Sequence, residues 1–209
     1  DAPLLIAVHG LTGSADSHYI VGIQHAMAQA GWNSVAMNLR GCSGEYNRLP
    51  RSYHSGISED LAQVIEHVRH IYPAAPLFAV GYSLGGNILL KYLGEAGAAT
   101  PLKAAVSVSV PFLLNRCADR IEQGFSRVYQ HYFVKNLIKY TRGKYAMFIH
   151  DEQQTYAHAM EQLQPLDDIR TLREFDDRVT APLNGFLGAE DYYQKASCRQ
   201  FLGRIHIPT

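Results

Sequence analysis

The chain has 209 residues, 47% of them hydrophobic and 18% charged, with 19 basic and 19 acidic side chains and no formal net charge. That length and apolar content suit one globular domain with a real core. No basic excess points to nucleic acid or an anionic membrane as partner, and no apolar run approaches the ~20 residues of a membrane span.

Leu4–Val8 is an unbroken apolar run, too short for a helix and suited to a strand covered on both faces. It runs into His9-Gly10-Leu11-Thr12-Gly13-Ser14, a glycine-bearing loop able to present a backbone N–H to a ligand. The plain alternative is a simple strand-to-helix turn capped by Ser14 or Asp16. Ile20, Ile23, Met27 and Ala30 follow at helical spacing, and Gly31 stops that helix. Val35-Ala36-Met37 marks a second short strand, followed by the polar loop Arg40-Gly41-Cys42-Ser43-Gly44-Glu45. Cys42 is a rival nucleophile there, but only Arg40 would lower its pKa.

Glu59 and Asp60 open the next helix, where acids suit the positive end of the dipole. Leu61, Val64, Ile65, Val68 and Ile71 form its buried stripe, and Tyr72-Pro73 ends it. His67 and His70 fall on its solvated side, and His54 lies in the preceding loop, structural or solvated rather than at substrate.

The organising stretch comes next. Leu77–Val80 reads as a buried strand, Gly81-Tyr82-Ser83-Leu84-Gly85 fits G-x-S-x-G, and Asn87–Leu93 reads as a buried helix. By composition alone that pentapeptide arises in roughly one chain of this length in fifteen, so the flanking strand and helix carry the signal. In a nucleophile elbow the turn is so sharp that the serine hydroxyl stands proud of the sheet, and the flanking glycines, Gly81 and Gly85, avoid collisions. The rival reading makes Ser83 a helix cap in a glycine-rich connector. With the elbow reading, the His9-Gly10 loop becomes the oxyanion loop, and the expected donors are the backbone amides of Leu11 and Leu84.

Ala104–Pro111 is a fourth strand, so the alternation predicts an α/β parallel sheet. Residues 112 to about 165 read as helical, with Phe125, Val128, Tyr129, Tyr132 and Phe133 on one face. Those aromatics are expected to pack inward, or to line an acyl pocket under a cap. Residues 174–188 look irregular, with Pro182 and Gly185, and Glu190–Leu202 forms a last helix. The organisation expected is a core at 1–111, a mainly helical cap insertion at 112–188, and a return helix to the core at 189–209, ending before the next strand.

Several longer words join the elbow. Arg40-Gly41-Cys42-Ser43-Gly44-Glu45, Tyr53-His54-Ser55-Gly56, Gly124-Phe125-Ser126-Arg127-Val128-Tyr129-Gln130 and Arg173-Glu174-Phe175-Asp176-Asp177 resemble the YheT-type hydrolases of the α/β-hydrolase superfamily. Those are grouped with eukaryotic acylglycerol lipases and yeast medium-chain ethyl-ester synthases. The resemblance runs nearly end to end. It implies an α/β-hydrolase fold, a parallel central sheet flanked by helices with a helical cap insertion, and a Ser83 nucleophile acting on a small-molecule carboxylic ester through an acyl-enzyme. The alternatives are an alcohol O-acyltransferase and a non-catalytic binding scaffold.

In the family the triad runs Ser, Asp, His, and the last two follow strands not reached by residue 209. The chain therefore reads as a fragment truncated at both ends, about two-thirds of an enzyme and inactive alone, with triad acid and base unassigned. Asp176 and Asp177 follow no strand, His9 shapes its loop, and His131, His150, His158 and His206 have no strand end facing the elbow. Cys42, Cys117 and Cys198 lie far apart without C-x-x-C, which suggests a reducing compartment and no zinc. The start of the chain reads straight into a strand, so no signal peptide is expected. The expectations are a cytoplasmic protein with peripheral membrane contact left open, no cofactor, no metal, no nucleic-acid partner and no transmembrane segment.

Overall fold

The computed structural model describes residues 2–209, which fall into two units. The first comprises the chain up to Ser43, Ser55–Leu113 and Ala196–Thr209. The second comprises Gly44–His54 and Leu114–Lys195.

The first unit is built on a parallel sheet of β1 (Leu4–Val8), β2 (Asn33–Met37), β3 (Leu77–Tyr82) and β4 (Leu102–Val108), in the order β2-β1-β3-β4. Each crossover carries a helix: α1 (His18–Gln29), α2 (Ser58–Ile71) and α3 (Leu84–Ala96). β1 is central and every residue of it is buried, which is why it reads as an unbroken apolar run. After β1 the chain steps one way to β2, then returns to lay β3 on the other side. The gap between the ends of β1 and β3 is thus the topological switch point, where open α/β sheets bind ligands.

β4 ends at Val108, earlier than its sequence suggests, because Ser109 takes φ +54° and leaves the extended conformation. The last helix also differs from expectation. α9 (Ala189–Ala196) stops, and a 3-10 segment, Cys198–Arg204, follows. The cause is Asn87, fully buried on α3: its Nδ2 donates to Ala196 O and Ser55 O, and its Oδ1 accepts from Cys198 N–H. One side chain takes the backbone groups that would have continued the helix, and every polar atom of its amide group is used.

The second unit is helical: α4 (Leu114–Ile121), α5 (Ser126–His150), α6 (Gln154–Glu161), α7 (Leu172–Phe175) and α8 (Ala181–Leu183), with α9 as far as Lys195. Its core gathers Val134, Phe148, Leu166, Phe175 and Val179. Residues 174–183 are helical, not irregular. Thr171 and Glu174 form a reciprocal capping box that starts α7. A π-helical turn, Asp176–Thr180, carries the chain into α8, where Pro182 sits in the first turn and its missing N–H costs nothing.

Lys144 is fully buried in this unit, and its Nζ reaches Asn47 Oδ1, Pro50 O, Arg51 O and Ser52 Oγ at 2.8–3.2 Å. That ammonium ties residues 47–52 to α5. The aromatics at the start of α5 depart from expectation: Phe125, Val128, Tyr129 and Tyr132 face solvent, and Phe133 is only partly covered.

Candidate active site

Ser83 stands between the last residue of β3 and the first of α3, with φ +51° and ψ −118°. A β-carbon in that region is strained, and such strain persists only where the surroundings impose it. Here they do. The Ser83 amide donates to Val108 O on the neighbouring strand end at 2.8 Å, and Asn87 N–H returns to Ser83 O at 3.1 Å. Ser83 is exposed while residues 84–90 behind it are buried, and its side chain caps no helix amide. The cap reading of Ser83 is therefore set aside.

The flanking glycines are required sterically. A β-carbon on Gly81 would lie 2.5 Å from Gly85 O, and one on Gly85 would lie 2.4 Å from His9 O and 2.5 Å from Val8 O. Those obstacles are backbone and cannot swing away. Gly86 is similarly confined, 2.7 Å from a Val110 methyl.

The register explains what faces the serine. β1 and β3 are paired through Val8 and Gly81, so two residues further on Gly10 comes beside Ser83. His9 is fully buried and fixes the loop at that point. Its Nε2 accepts the Leu39 N–H at 3.1 Å, so its Nδ1 carries the proton and donates to Gly10 O at 2.8 Å. Burial lowers the pKa of this imidazole, only partly offset by the Gly10 carbonyl. Both ring nitrogens are committed, so His9 shapes the loop and has no free nitrogen to serve as a base.

The Gly10 amide is also spoken for: it donates to Tyr19 Oη at 2.9 Å. The Tyr19 ring rests 4.9 Å from that of Tyr82, the residue before the serine. By contrast, neither the Leu11 amide nor the Leu84 amide has an acceptor among the described residues. Leu84 is the first helical residue of α3, whose leading N–H groups have no intrahelical partner. Tyr19 is the residue the sequence reading missed. Nothing local to it signals a role, since its partner lies nine positions earlier.

Around this centre, Arg40 forms a two-pronged ion pair with Asp60 at 2.5 Å, which fastens the Arg40–Cys42 loop to the start of α2. Asp60 raises the Arg40 pKa further. Cys42 Sγ points to Arg40 O, at 4.0 Å. Among the described residues, three of the four non-glycine residues with positive φ, Thr12, Ser83 and Ser109, follow β1, β3 and β4, so backbone strain gathers at the strand ends.

Among the described residues no imidazole or carboxylate hydrogen-bonds the Ser83 hydroxyl. His54, in the second unit, lies edge-on to Phe186 and Tyr192. Asp177 caps α9 through the Ala189 amide at 2.8 Å. Asp176 accepts from Tyr193 Oη at 2.8 Å, and burial raises its pKa to about 6.

A parallel sheet, a strained serine at its switch point and a glycine loop beside it define an α/β hydrolase. The profile of the alpha/beta hydrolase fold matches residues 3–209, and the chain belongs to that family. It is 42% identical over 208 residues to the "Putative esterase YheT" of Escherichia coli, covering 99% of this chain and 59% of that protein. It is 34% identical to the human phospholipase ABHD3 over 207 residues, covering 99% of this chain and 48% of that one. A monoacylglycerol lipase of Saccharomyces cerevisiae is 32% identical over 209 residues, 99% of this chain and 46% of the lipase. The chain thus spans about half to three-fifths of the relatives it matches. Among solved structures, the Pyrococcus furiosus esterase Pf2001 superposes with a TM-score of 0.54 over 68% of this chain and 57% of that one, at 22% identity, a likeness of fold.

Proposed function

We propose that the full-length protein is a serine hydrolase of carboxylic esters, with Ser83 as nucleophile and the amides of Leu11 and Leu84 as oxyanion donors. The carrying observation is an exposed, strained serine at the switch point with the Gly10 loop against it, where the Leu11 and Leu84 amides have no acceptor among the described residues. The names of the relatives, an esterase, a phospholipase and a monoacylglycerol lipase, favour acyl esters as the substrate class.

In the first step Ser83 Oγ bonds to the ester carbonyl carbon and gives its proton to a base. The carbonyl oxygen becomes an oxyanion held by the two amides, each worth about 3–4 kcal/mol in the transition state. The tetrahedral centre collapses, the bond to the alkoxy oxygen breaks, and the alcohol leaves with the proton. Water then repeats the sequence on the acyl-enzyme and releases the acid. The base and its acid partner are assigned to parts of the full-length enzyme outside residues 1–209: His9 spends both ring nitrogens on its loop, and Asp176 is bonded to Tyr193.

The test compares full-length enzyme with its Ser83→Ala variant on p-nitrophenyl butyrate. The expected loss is about 10⁴-fold or more in kcat/KM with unchanged folding. Turnover by Ser83→Ala within a few-fold of wild type would overturn the assignment.

A further inference from the structure

The zero net charge of the chain conceals an uneven distribution. α5 runs for 25 residues without one Asp or Glu, and carries Arg127, Lys135, Lys139, Arg142 and Lys144. Its buried face is Gln130, Val134, Thr141, Lys144 and Phe148, a mostly polar set. Its exposed face is the apolar one at the N-terminal end. Phe125, Val128, Tyr129 and Tyr132 are 78%, 59%, 57% and 59% exposed.

Val128, Tyr132, Lys135, Lys139 and Arg142 recur in steps of four and three, which places them on one stripe of the helix. Phe125 and Tyr129 flank the start of that stripe and meet edge to face, with ring centroids 6.3 Å apart. Lys135 and Lys139 are exposed and enter no ion pair among the described residues, while Arg142 pairs with Asp167. The nearest acid before the helix is Glu122.

We propose that this face of α5 docks on an anionic phospholipid surface, with the aromatic end seated in the headgroup region and the lysines against lipid phosphates and carboxylates. The occupant must offer apolar depth at one end and negative charge at the other. Anionic lipid supplies both, and Tyr and Phe are the side chains that favour the boundary between them. On α5 itself a second copy of this face would bring no Asp or Glu to Lys135 or Lys139, and its own lysines would repel them. Among the described residues no helix is long and apolar enough to cross a membrane, so the contact is with the surface. The proposal does not depend on the reactivity of Ser83.

The experiment uses the full-length protein in co-sedimentation with phosphatidylcholine vesicles, with and without about one-third phosphatidylserine. Wild type is expected to bind the anionic vesicles, and less so as salt is raised. Lys135→Glu with Lys139→Glu should lower that affinity at least about tenfold. Phe125→Ser with Tyr129→Ser and Tyr132→Ser should abolish binding to either vesicle. Both variants alter exposed positions, so thermal melting and turnover of a short dissolved ester should match wild type. Failure of wild type to bind, binding unaffected by both variants, or a wild-type dimer that the aromatic variant splits would each overturn the proposal.

Discussion

Gly10 lies against Ser83 so closely that a β-carbon on the glycine would come within 3.2 Å of the serine's own. The same added atom would sit 3.3 Å from Tyr82 O, so loop or elbow must yield by a few tenths of an ångström. Gly10→Ala in the full-length enzyme should therefore fold at a cost of about 1 kcal/mol, yet move the Leu11 amide out of line. The expected loss is about 10–100-fold in kcat with KM little changed, because donors must meet the oxyanion within a few tenths of an ångström. Steady-state kinetics beside a denaturant titration checks this. Equal losses of stability and activity would mean that the glycine matters for packing alone.

His9 sets a pH limit on the fold. Its pKa is lowered in the folded state, so the folded protein resists a proton that the unfolded chain accepts from pH 6.5 downward. The stability this residue contributes is present above pH 6.5 and is lost as pH falls toward the lowered folded value. His9→Asn removes the titration, and also the bridge between Leu39 N–H and Gly10 O. At pH 8 it should cost about 2–4 kcal/mol, since two buried backbone groups lose their partner. That deficit should shrink as pH drops from 7 to 5, measured by urea unfolding at each pH. A constant difference between the two proteins would contradict the assignment of a neutral, doubly committed ring.

Asp176 works with the opposite sign. Burial raises its pKa to about 6, while the unfolded carboxyl stays near 3.8, and Tyr193, itself raised, remains a phenol that donates to it. Between those values the folded protein binds the proton and the unfolded chain does not, so this group stabilises as pH falls from about 6 to about 4. Relative to Asp176→Asn, wild type should gain on the order of 2–3 kcal/mol across that window. Thermal melts of both proteins at matched pH values measure the gain. A wild type that loses ground on acidification would show the carboxylate to be stabilised as the anion.

Much of this architecture is legible before any coordinates. β1 and β3 are covered on both faces, so their residues are apolar without alternation and announce themselves as runs. The tight turn from β3 into α3 is legible because Gly81 and Gly85 are dictated by backbone contacts that a β-carbon would violate. What the sequence conceals depends on partners far along the chain. The Gly10 amide is taken by Tyr19, nine residues further on, and nothing near either residue signals the pairing. The break in the last helix belongs to Asn87, more than a hundred residues earlier.

α5 misleads for a related reason. Its buried stripe includes Lys144 and Gln130, polar residues that burial tolerates because loop carbonyls, hydroxyls and the Leu172 amide satisfy them. The aromatics at its start, Phe125, Tyr129 and Tyr132, the obvious inward residues on composition, lie outside. Pattern alone cannot assign the faces of a helix whose polar side finds partners in the interior.

The proposed reaction begins at the Ser83 hydroxyl of the full-length enzyme. Treatment with a fluorophosphonate, followed by tryptic digestion and mass spectrometry, reads this directly. The expected result is a single adduct on the peptide holding Ser83, absent in Ser83→Ala and blocked by a slow ester substrate. An adduct on any other residue of the wild-type protein, or active ester turnover with Ser83 unlabelled, would contradict it.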